Sequence, residues 1–332
     1  MKVLLYLEGE KVLSKSGIGR AISHQKRALD LVDCEYTTDI HDDYDIVHIN
    51  TYGPKSYLLL KKAKKAGKKV IYHGHSTRED FANSFIGSNL LAPVVGKYLT
   101  YLYSQADMVI TPTEYSKSLI EGYGVKCPVL PISNGIDLAK YQVDEDKELK
   151  FKEYFDIKDS EAVVICAGLY FKRKGIEDFI QVAREMPDVR FIWFGYTDMW
   201  TIPSDVRKLV KKDHPANVEF PGYIKGDIFE GAMSASDIFF FPSYEETEGI
   251  VVLEALASHQ NVVIRDIPVF DGWIDKTQAI KGKNVGEFKQ AISDILSGKL
   301  DFHQKGYKVA QSRSIEKIAH QLVDAYEQVL KL

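Results

Sequence analysis

Cysteine is scarce in this chain of 332 residues: Cys34, Cys127 and Cys166 stand at no metal-ligand spacing and cannot all pair. They read as reduced thiols of a cytosolic protein, which excludes a disulfide-stapled secreted scaffold. Long apolar runs are missing too. No stretch approaches the roughly 18 uninterrupted apolar residues that suggest a membrane span. The apolar run at the N-terminus is only a strand long and leads into charged residues. Neither a signal peptide nor a transmembrane helix is expected, and any membrane contact would be peripheral. Net charge is small, −4, which argues against a dedicated nucleic-acid binder. Solenoid-period repeats and low-complexity tracts are absent as well.

What is present is ample apolar material. With 45% hydrophobic residues, a chain of this length can bury two ordinary cores. Short apolar runs alternate with amphipathic stretches, the pattern of parallel sheets flanked by helices. Expected strands of the first half are Val3–Leu7, Ile46–Ile49, Val70–Tyr72, Met108–Thr111 and Val129–Ile132. Those of the second are Ala162–Ala167, Val189–Phe194, Val218–Phe220, Ile238–Phe241 and Val262–Ile264. Asp144–Lys150 is charged, lacks glycine and has no strand character, so the junction is placed at its start. This gives a first domain over 1–143, a second over 144–312 and a closing helical segment over 313–332. The fold class is α/β: two doubly wound, Rossmann-like domains facing each other across a cleft suited to a nucleotide. Residues 1–140 hold 18 basic and 15 acidic side chains, and the remainder 25 and 32. The first half is thus the better suited to an anionic surface.

The phrase from Glu246 to Ala257 carries most of the chemistry. The run Ile238–Phe241 reads as a buried strand, Glu246 lies on the loop after it, and Gly249 opens a helix that carries Glu254. Glycine before exposed helix N–H groups, here those of Gly249 and Ile250, makes an anion site suited to a diphosphate. Carboxylates flanking such a site would grip sugar hydroxyls. The plainer alternative is a capped helix with two solvated glutamates.

Glu246 and Glu254, with seven residues between them, resemble the E-x7-E signature of retaining glycosyltransferases of family 4, which have the GT-B fold. Other motifs follow in the same order: Ser16-Gly17-Ile18-Gly19-Arg20, His73-Gly74-His75, Thr111–Ser116, Ser133-Asn134-Gly135, Ala167-Gly168, Lys172–Gly175 and Phe220–Tyr223. The likeness therefore covers nearly the whole chain. Met1–Glu8, Ser16–Ile22 and His75–Phe81 look, more narrowly, like bacterial peripheral membrane enzymes that add a second hexose to a glycosyl-diacylglycerol. By this resemblance the last helix would cross back to the first domain.

The resemblance implies roles residue by residue. His75 would contact the donor sugar, where a structural strand cap is the alternative and the favoured reading of His73. Lys174 would neutralise the departing diphosphate in place of a metal ion. Glu246 would bind sugar hydroxyls and Glu254 the ribose, while Gly222 and Tyr223 would border the base. The family arginine expected directly after Gly168 is Leu169 here, so either Arg173 supplies the second cation or one is missing. His259 and Asn261 replace the usual glycine and proline. Gly17 and Gly19 would let the backbone approach a phosphate or a lipid-linked sugar, with Arg20 adding a charge, unless they form an ordinary turn before a helix. With Ile22 at the third position of G-x-G-x-x-G, a dinucleotide cofactor is not expected. No metal site stands out; Asp42, Asp43 and Asp45 read as the start of a strand.

The run Lys61, Lys62, Lys64, Lys65, Lys68 and Lys69 is either a docking patch for an anionic leaflet, each residue contributing about 1 kcal/mol, or a solvated face. Ser88–Tyr103, with Lys97 as its only charge, is either an interfacial helix or core. The expectation is a retaining, metal-independent hexosyltransferase at the cytoplasmic face of the membrane. It would use UDP-glucose or UDP-galactose as donor substrate and a monohexosyl-diacylglycerol as acceptor, without a cofactor. Competing readings are a transferase for a soluble or polyprenyl-linked glycan, a nucleotide-sugar-binding protein without catalysis, and a nucleotide-sugar epimerase.

Overall fold

Twelve strands fall into two separate six-stranded sheets, all pairings parallel, in the computed structural model, which describes residues 1–13 and 16–332. The chain divides into two compact units. One comprises Met1–Phe81, Asn89–Asp137 and Arg313–Leu332; the other comprises Ala82–Ser88 and Leu138–Ser312.

In the first unit the sheet order is β2-β1-β3-β4-β5-β6. The strands are β1 (Val3–Tyr6), β2 (Tyr36–Thr37), β3 (Ile46–Ile49), β4 (Lys69–His73), β5 (Met108–Thr111) and β6 (Val129–Pro131). Alternate residues face opposite sides of a strand, so each apolar run feeds two cores. Val3, Leu5, Ile46, Ile71, Met108 and Ile110 pack under α1 (Gly17–Leu31), through its Ile22, Ala28 and Leu29. Leu4, Val47, Val70, Tyr72 and Val109 pack on the other side, under Leu59 and Leu60 of α2 (Pro54–Lys65) and Leu99 and Leu102 of α3 (Ser88–Tyr103). The order reverses direction between β1 and β3, the position at which doubly wound sheets bind ligands.

In the second unit the order is β12-β11-β10-β7-β8-β9, which places the reversal between β7 and β10. Its strands are β7 (Val163–Ala167), β8 (Arg190–Phe194), β9 (Val218–Gly222), β10 (Ile238–Phe241), β11 (Asn261–Arg265) and β12 (Ile280–Gly282). Two helices matter for the site: α4 (Ile176–Arg184), which follows β7, and α5 (Ile250–Ala257), which follows β10. The closing helix α6 (Ile315–Lys331) returns to the first unit. Its Ile315, Ile318, Leu322, Tyr326 and Val329 join the core beneath α1.

The expected boundary at 143/144 differs from these units in two places. Residues 138–143 belong with the second unit, and the charged stretch from Asp144 is a helix, Glu145–Phe155, that Asp144 caps by accepting from the Asp146 and Lys147 amides. Ala82–Ser88 also groups with the second unit. Asn83 accepts from the Arg173 amide at 3.2 Å, the Ile86 amide donates to Thr201, and Phe85 packs edge-on against Phe171. Two short edge strands, β2 and β12, were not expected from the sequence.

Candidate active site

The C-terminal ends of β7 and β10 meet at the second unit's reversal point, and the sequence makes that approach close. Gly175 has φ +79° and lies against Pro242, where any Cβ would strike the Pro242 carbonyl. The Tyr244 amide then donates to the Arg173 carbonyl at 2.7 Å. This stitching sets the turn Lys172–Lys174 beside the loop after β10 and brings Lys174 onto Glu246.

Glu246 is buried among donors. Lys174 pairs with its Oε1, Ser243 Oγ donates to the same oxygen at 2.6 Å, and an Arg173 guanidinium nitrogen stands 3.6 Å away. Burial pushes the Glu246 carboxyl up. The Lys174 and Arg173 charges and the two hydrogen bonds outweigh it and hold the carboxyl below its ordinary value. The Lys174 ammonium also lies over the Phe241 ring, 5.2 Å from its centroid. The result is an ionised carboxylate and an ammonium held in a nearly dry setting at a sheet's ligand-binding edge, where charge acts strongly.

Arg173 has a different setting from Lys174. It is buried, and its guanidinium donates to Ser84 Oγ at 3.0 Å and to the Glu245 carbonyl at 2.8 Å. It fixes the Glu246 loop and the segment Ala82–Ser88.

Gly249 opens α5 in the left-handed region, φ +84°, with Ile250 as the first helical residue. Glu254 lies one turn on, wholly buried. Glycines also end β9 (Gly222) and follow β7 (Gly168) and β8 (Gly195). The Gly168 amide donates to Phe194, and the Gly195 amide donates to the Gly222 carbonyl. At Gly195 a Cβ would strike the Gly168 carbonyl, so these strand ends draw together only because Gly195 has no side chain. Tyr223, after Gly222, is partly exposed on this edge.

The first unit holds the other expected residues. His75 follows β4, almost fully buried, and donates or accepts through Nε2 to Asn50 Oδ1 at 2.9 Å. Burial, and then the neighbouring His48 ring, lower its pKa to about 3, so it is neutral near pH 7. His73 is equally buried and stacks on His75 with ring centroids 3.9 Å apart.

The glycine motif is not a loop. Gly17 and Gly19 lie within the first turn of α1, and Ser16 caps it by accepting from the Gly19 amide at 3.4 Å. An N-cap serine turns the chain into a helix at once, so the glycines offer first-turn amides rather than a phosphate-wrapping loop. Arg20 sits half-buried on the same helix.

The lysine run is also less uniform than it reads. Lys64 pairs with Asp107 at 2.7 Å and Lys68 with Asp43 at 2.8 Å. Lys61 lies over the Tyr57 and Tyr101 rings, and Lys69 is half-buried. Lys62 and Lys65 are exposed on α2 with no ion pair among the described residues. Helix α3 is amphipathic: Ala92, Leu99, Leu102 and Tyr103 face inward, while Leu90, Leu91 and Val94 are 82, 50 and 64% exposed. Among the described residues, no helix is long and apolar enough to cross a membrane.

The sequence reading missed Ser243 as a Glu246 partner, and it missed Gln25, His48, Asn50 and Tyr326 around His75. The available signal was polar residues at a spacing of two, His48/Asn50 and His73/His75, at the ends of otherwise apolar strands.

Comparison with known proteins bears on the family and the fold. Residues 10–140 match the model of the family described as Glycosyltransferase Family 4, and residues 147–313 match Glycosyl transferases group 1. Across its whole length the chain is 49% identical to the processive diacylglycerol alpha-glucosyltransferase of Acholeplasma laidlawii, covering 99% of that protein. It is 24% identical to the alpha-galactosylglucosyldiacylglycerol synthase of Streptococcus pneumoniae over 88% of this chain and 79% of the other. The crystal structure of Anabaena Alr3699/HepE in complex with UDP and glucose superposes with a TM-score of 0.77 at 17% identity, covering 98% of this chain and 99% of that one.

Proposed function

Because this chain belongs to glycosyltransferase family 4 and has the GT-B fold, we propose that it is a retaining hexosyltransferase of membrane glycolipids. It moves glucose from a UDP-sugar to the sugar of a monohexosyl-diacylglycerol. The observation that carries this reading is the buried Lys174–Glu246 pair at the reversal point between β7 and β10.

The donor assignment follows from charge. As the anomeric C–O bond breaks, its electron pair leaves on UDP, and negative charge grows on the diphosphate. Lys174 is the ammonium that meets it, in the role a divalent ion would otherwise take. The amides of Gly249 and Ile250 at the start of α5 supply further donors to phosphate. Glu246, kept ionised, accepts from sugar hydroxyls; Glu254 accepts from the ribose; Tyr223 borders the base. Arg173 acts at one remove, by fixing the Glu246 loop. The acceptor hydroxyl oxygen bonds to the anomeric carbon from the face the diphosphate leaves, and its proton passes to the departing phosphate oxygen. A UDP-hexose is α-linked, and the relative's name specifies an alpha product, which supports retention.

The lipid acceptor calls for a docking surface, and we assign it to the first unit. The exposed apolar face of α3 would enter the headgroup boundary, with Lys62 and Lys65 of α2 near an anionic leaflet. The name of the 49% relative supports diacylglycerol lipids and glucose in particular.

The test is transfer from radiolabelled UDP-glucose and UDP-galactose to monoglucosyl-diacylglycerol in anionic vesicles, with EDTA present throughout. Label in a dihexosyl lipid with the alpha configuration, from UDP-glucose above UDP-galactose, is expected. No labelled lipid from either donor would overturn the reading, and activity lost in EDTA but restored by a divalent ion would overturn the role given to Lys174.

A further inference from the structure

At the C-terminal ends of β3 and β4 the first unit buries six polar side chains. They are Gln25 from α1, His48 and Asn50 from β3 and its end, His73 and His75 from β4 and its end, and Tyr326 from α6. A spacing of two puts both strand pairs on the face beneath α1 and α6. Asn50 also donates its amide to the Tyr6 carbonyl at 2.9 Å, which places it at the reversal point between β1 and β3.

The amide of Asn50 decides which nitrogen of His75 carries the proton. One terminal atom of Asn50 lies 3.4 Å from the His48 backbone carbonyl and 3.1 Å from Gln25 Oε1. An oxygen there would face two acceptors, and the backbone carbonyl cannot flip, so this atom is the amide nitrogen. Oδ1 therefore points at His75 Nε2, and Nε2 is the donor. A neutral imidazole has a single ring proton, which leaves Nδ1 of His75 as a lone-pair acceptor. No group among the described residues hydrogen-bonds that atom.

Gln25 locks the arrangement. Its Oε1 accepts from Asn50 Nδ2, and its Nε2 donates to Asn50 Oδ1 at 2.9 Å and to His73 Nδ1 at 3.0 Å. His48 Nε2 also meets His73 Nδ1, at 3.1 Å, and Tyr326 hydroxyl meets His48 Nδ1 at 2.9 Å. The titratable groups of the cluster are thus His48, His73, His75 and Tyr326, and among the described residues no carboxylate is hydrogen-bonded into it.

We propose that Asn50, held by Gln25, fixes His75 as the Nε2–H tautomer, so that His75 presents Nδ1 as an acceptor for one hydroxyl hydrogen of a sugar substrate. Asn50 and Gln25 are positioning residues. The tautomer stands on geometry alone; its use on a sugar rests on the hexosyltransferase reading.

Two measurements test this. In long-range ¹H–¹⁵N correlation spectra of histidine-labelled protein, with His75 assigned by its loss in His75→Ala, Nδ1 should resonate in the deprotonated range and Nε2 in the protonated one. The reverse pattern overturns the proposal, and the measurement needs no folded variant at position 50. In Asn50→Asp, a charged acceptor favours the imidazolium. The acid limb of the kcat/KM profile should then move up by about one pH unit or more, with activity at pH 8.5 retained within tenfold. An unmoved limb in folded Asn50→Asp overturns the proposal. If the parent transfers no hexose while the tautomer is as assigned, the functional reading falls and the positioning geometry stands.

Discussion

Replacing Lys174 with alanine removes one ammonium from two jobs, and the structure gives each a size. In the transition state, loss of a preorganised donor to developing charge costs about 2.7–4 kcal/mol, or roughly 10²–10³ in kcat. In the folded state, breaking a buried ion pair costs about 3–5 kcal/mol. Arg173 remains 3.6 Å from Glu246 and Ser243 still donates to it, so the low end applies. At ~2–4 °C per kcal/mol for a domain of this size, the second unit should melt roughly 6–12 °C lower.

The pH dependence separates the pair from a packing loss. Because the Glu246 carboxyl is held below its ordinary value, its stabilisation is present above that value and is lost as pH falls through the folded one. Without Lys174, burial meets less opposition and the carboxyl rises. The gap in Tm between parent and Lys174→Ala should therefore be wide at pH 7.5 and narrow near pH 4. Lys174→Met keeps most of the stem and should show the same gap. Steady-state transfer at 20 °C, where both proteins are folded, isolates the catalytic effect. Parental kcat in Lys174→Ala, or a Tm gap that ignores pH, would refute the reasoning.

The lysine run yields a sharper prediction than its sequence did. Lys62→Ala/Lys65→Ala should lose about 2 kcal/mol of affinity for anionic vesicles, roughly thirtyfold, in a sedimentation assay. Lys64→Ala/Lys68→Ala should lose much less, because Asp107 and Asp43 already neutralise those ammonium groups; equal losses would remove the docking surface as drawn. Two glycines form a second contrast. Gly195→Ala adds a Cβ against the Gly168 carbonyl, whereas Gly222→Ala, at φ +87°, adds one into open space. Gly222→Ala should cost only the backbone strain of about 1–2 kcal/mol, and Gly195→Ala clearly more; urea unfolding midpoints that rank the two the other way would contradict the strand-end packing.

Ten of the twelve strands were legible because a strand buried on both faces is an unbroken apolar run, as in Ile238–Phe241. Tyr36–Thr37 and Ile280–Gly282 escaped because short edge strands need no such run. The candidate site divides along the same physical line. Glu246, Lys174 and Gly249 could be read because their spacing survives in the chain as a phrase. What holds them could not: Ser243 is an ordinary loop serine until the loop curls back, and the bonds from the Arg173 guanidinium to Ser84 and the Glu245 carbonyl exist only in the fold. The glycine motif shows the same divide. Gly17 and Gly19 allow either a close backbone approach or a turn before a helix, and Ser16 starts the helix at once because the apolar spacing of Ile22, Ala28 and Leu29 continues directly into the core.

The histidines carry the same lesson into chemistry. His73 and His75 are equivalent as letters, one ending β4 and the other two residues beyond it. Their roles separate only through a carbonyl on the neighbouring strand, which orients Asn50, which in turn orients His75. Parallel pairing in register sets that carbonyl beside β4, with His48 opposite Ile71. A single-residue slip of β3 would turn His48 and Asn50 to the α2/α3 face and leave His75 free to adopt either tautomer. The register that buries Val47 and Ile49 on one side of the sheet is thus also what makes His75 an acceptor on the other.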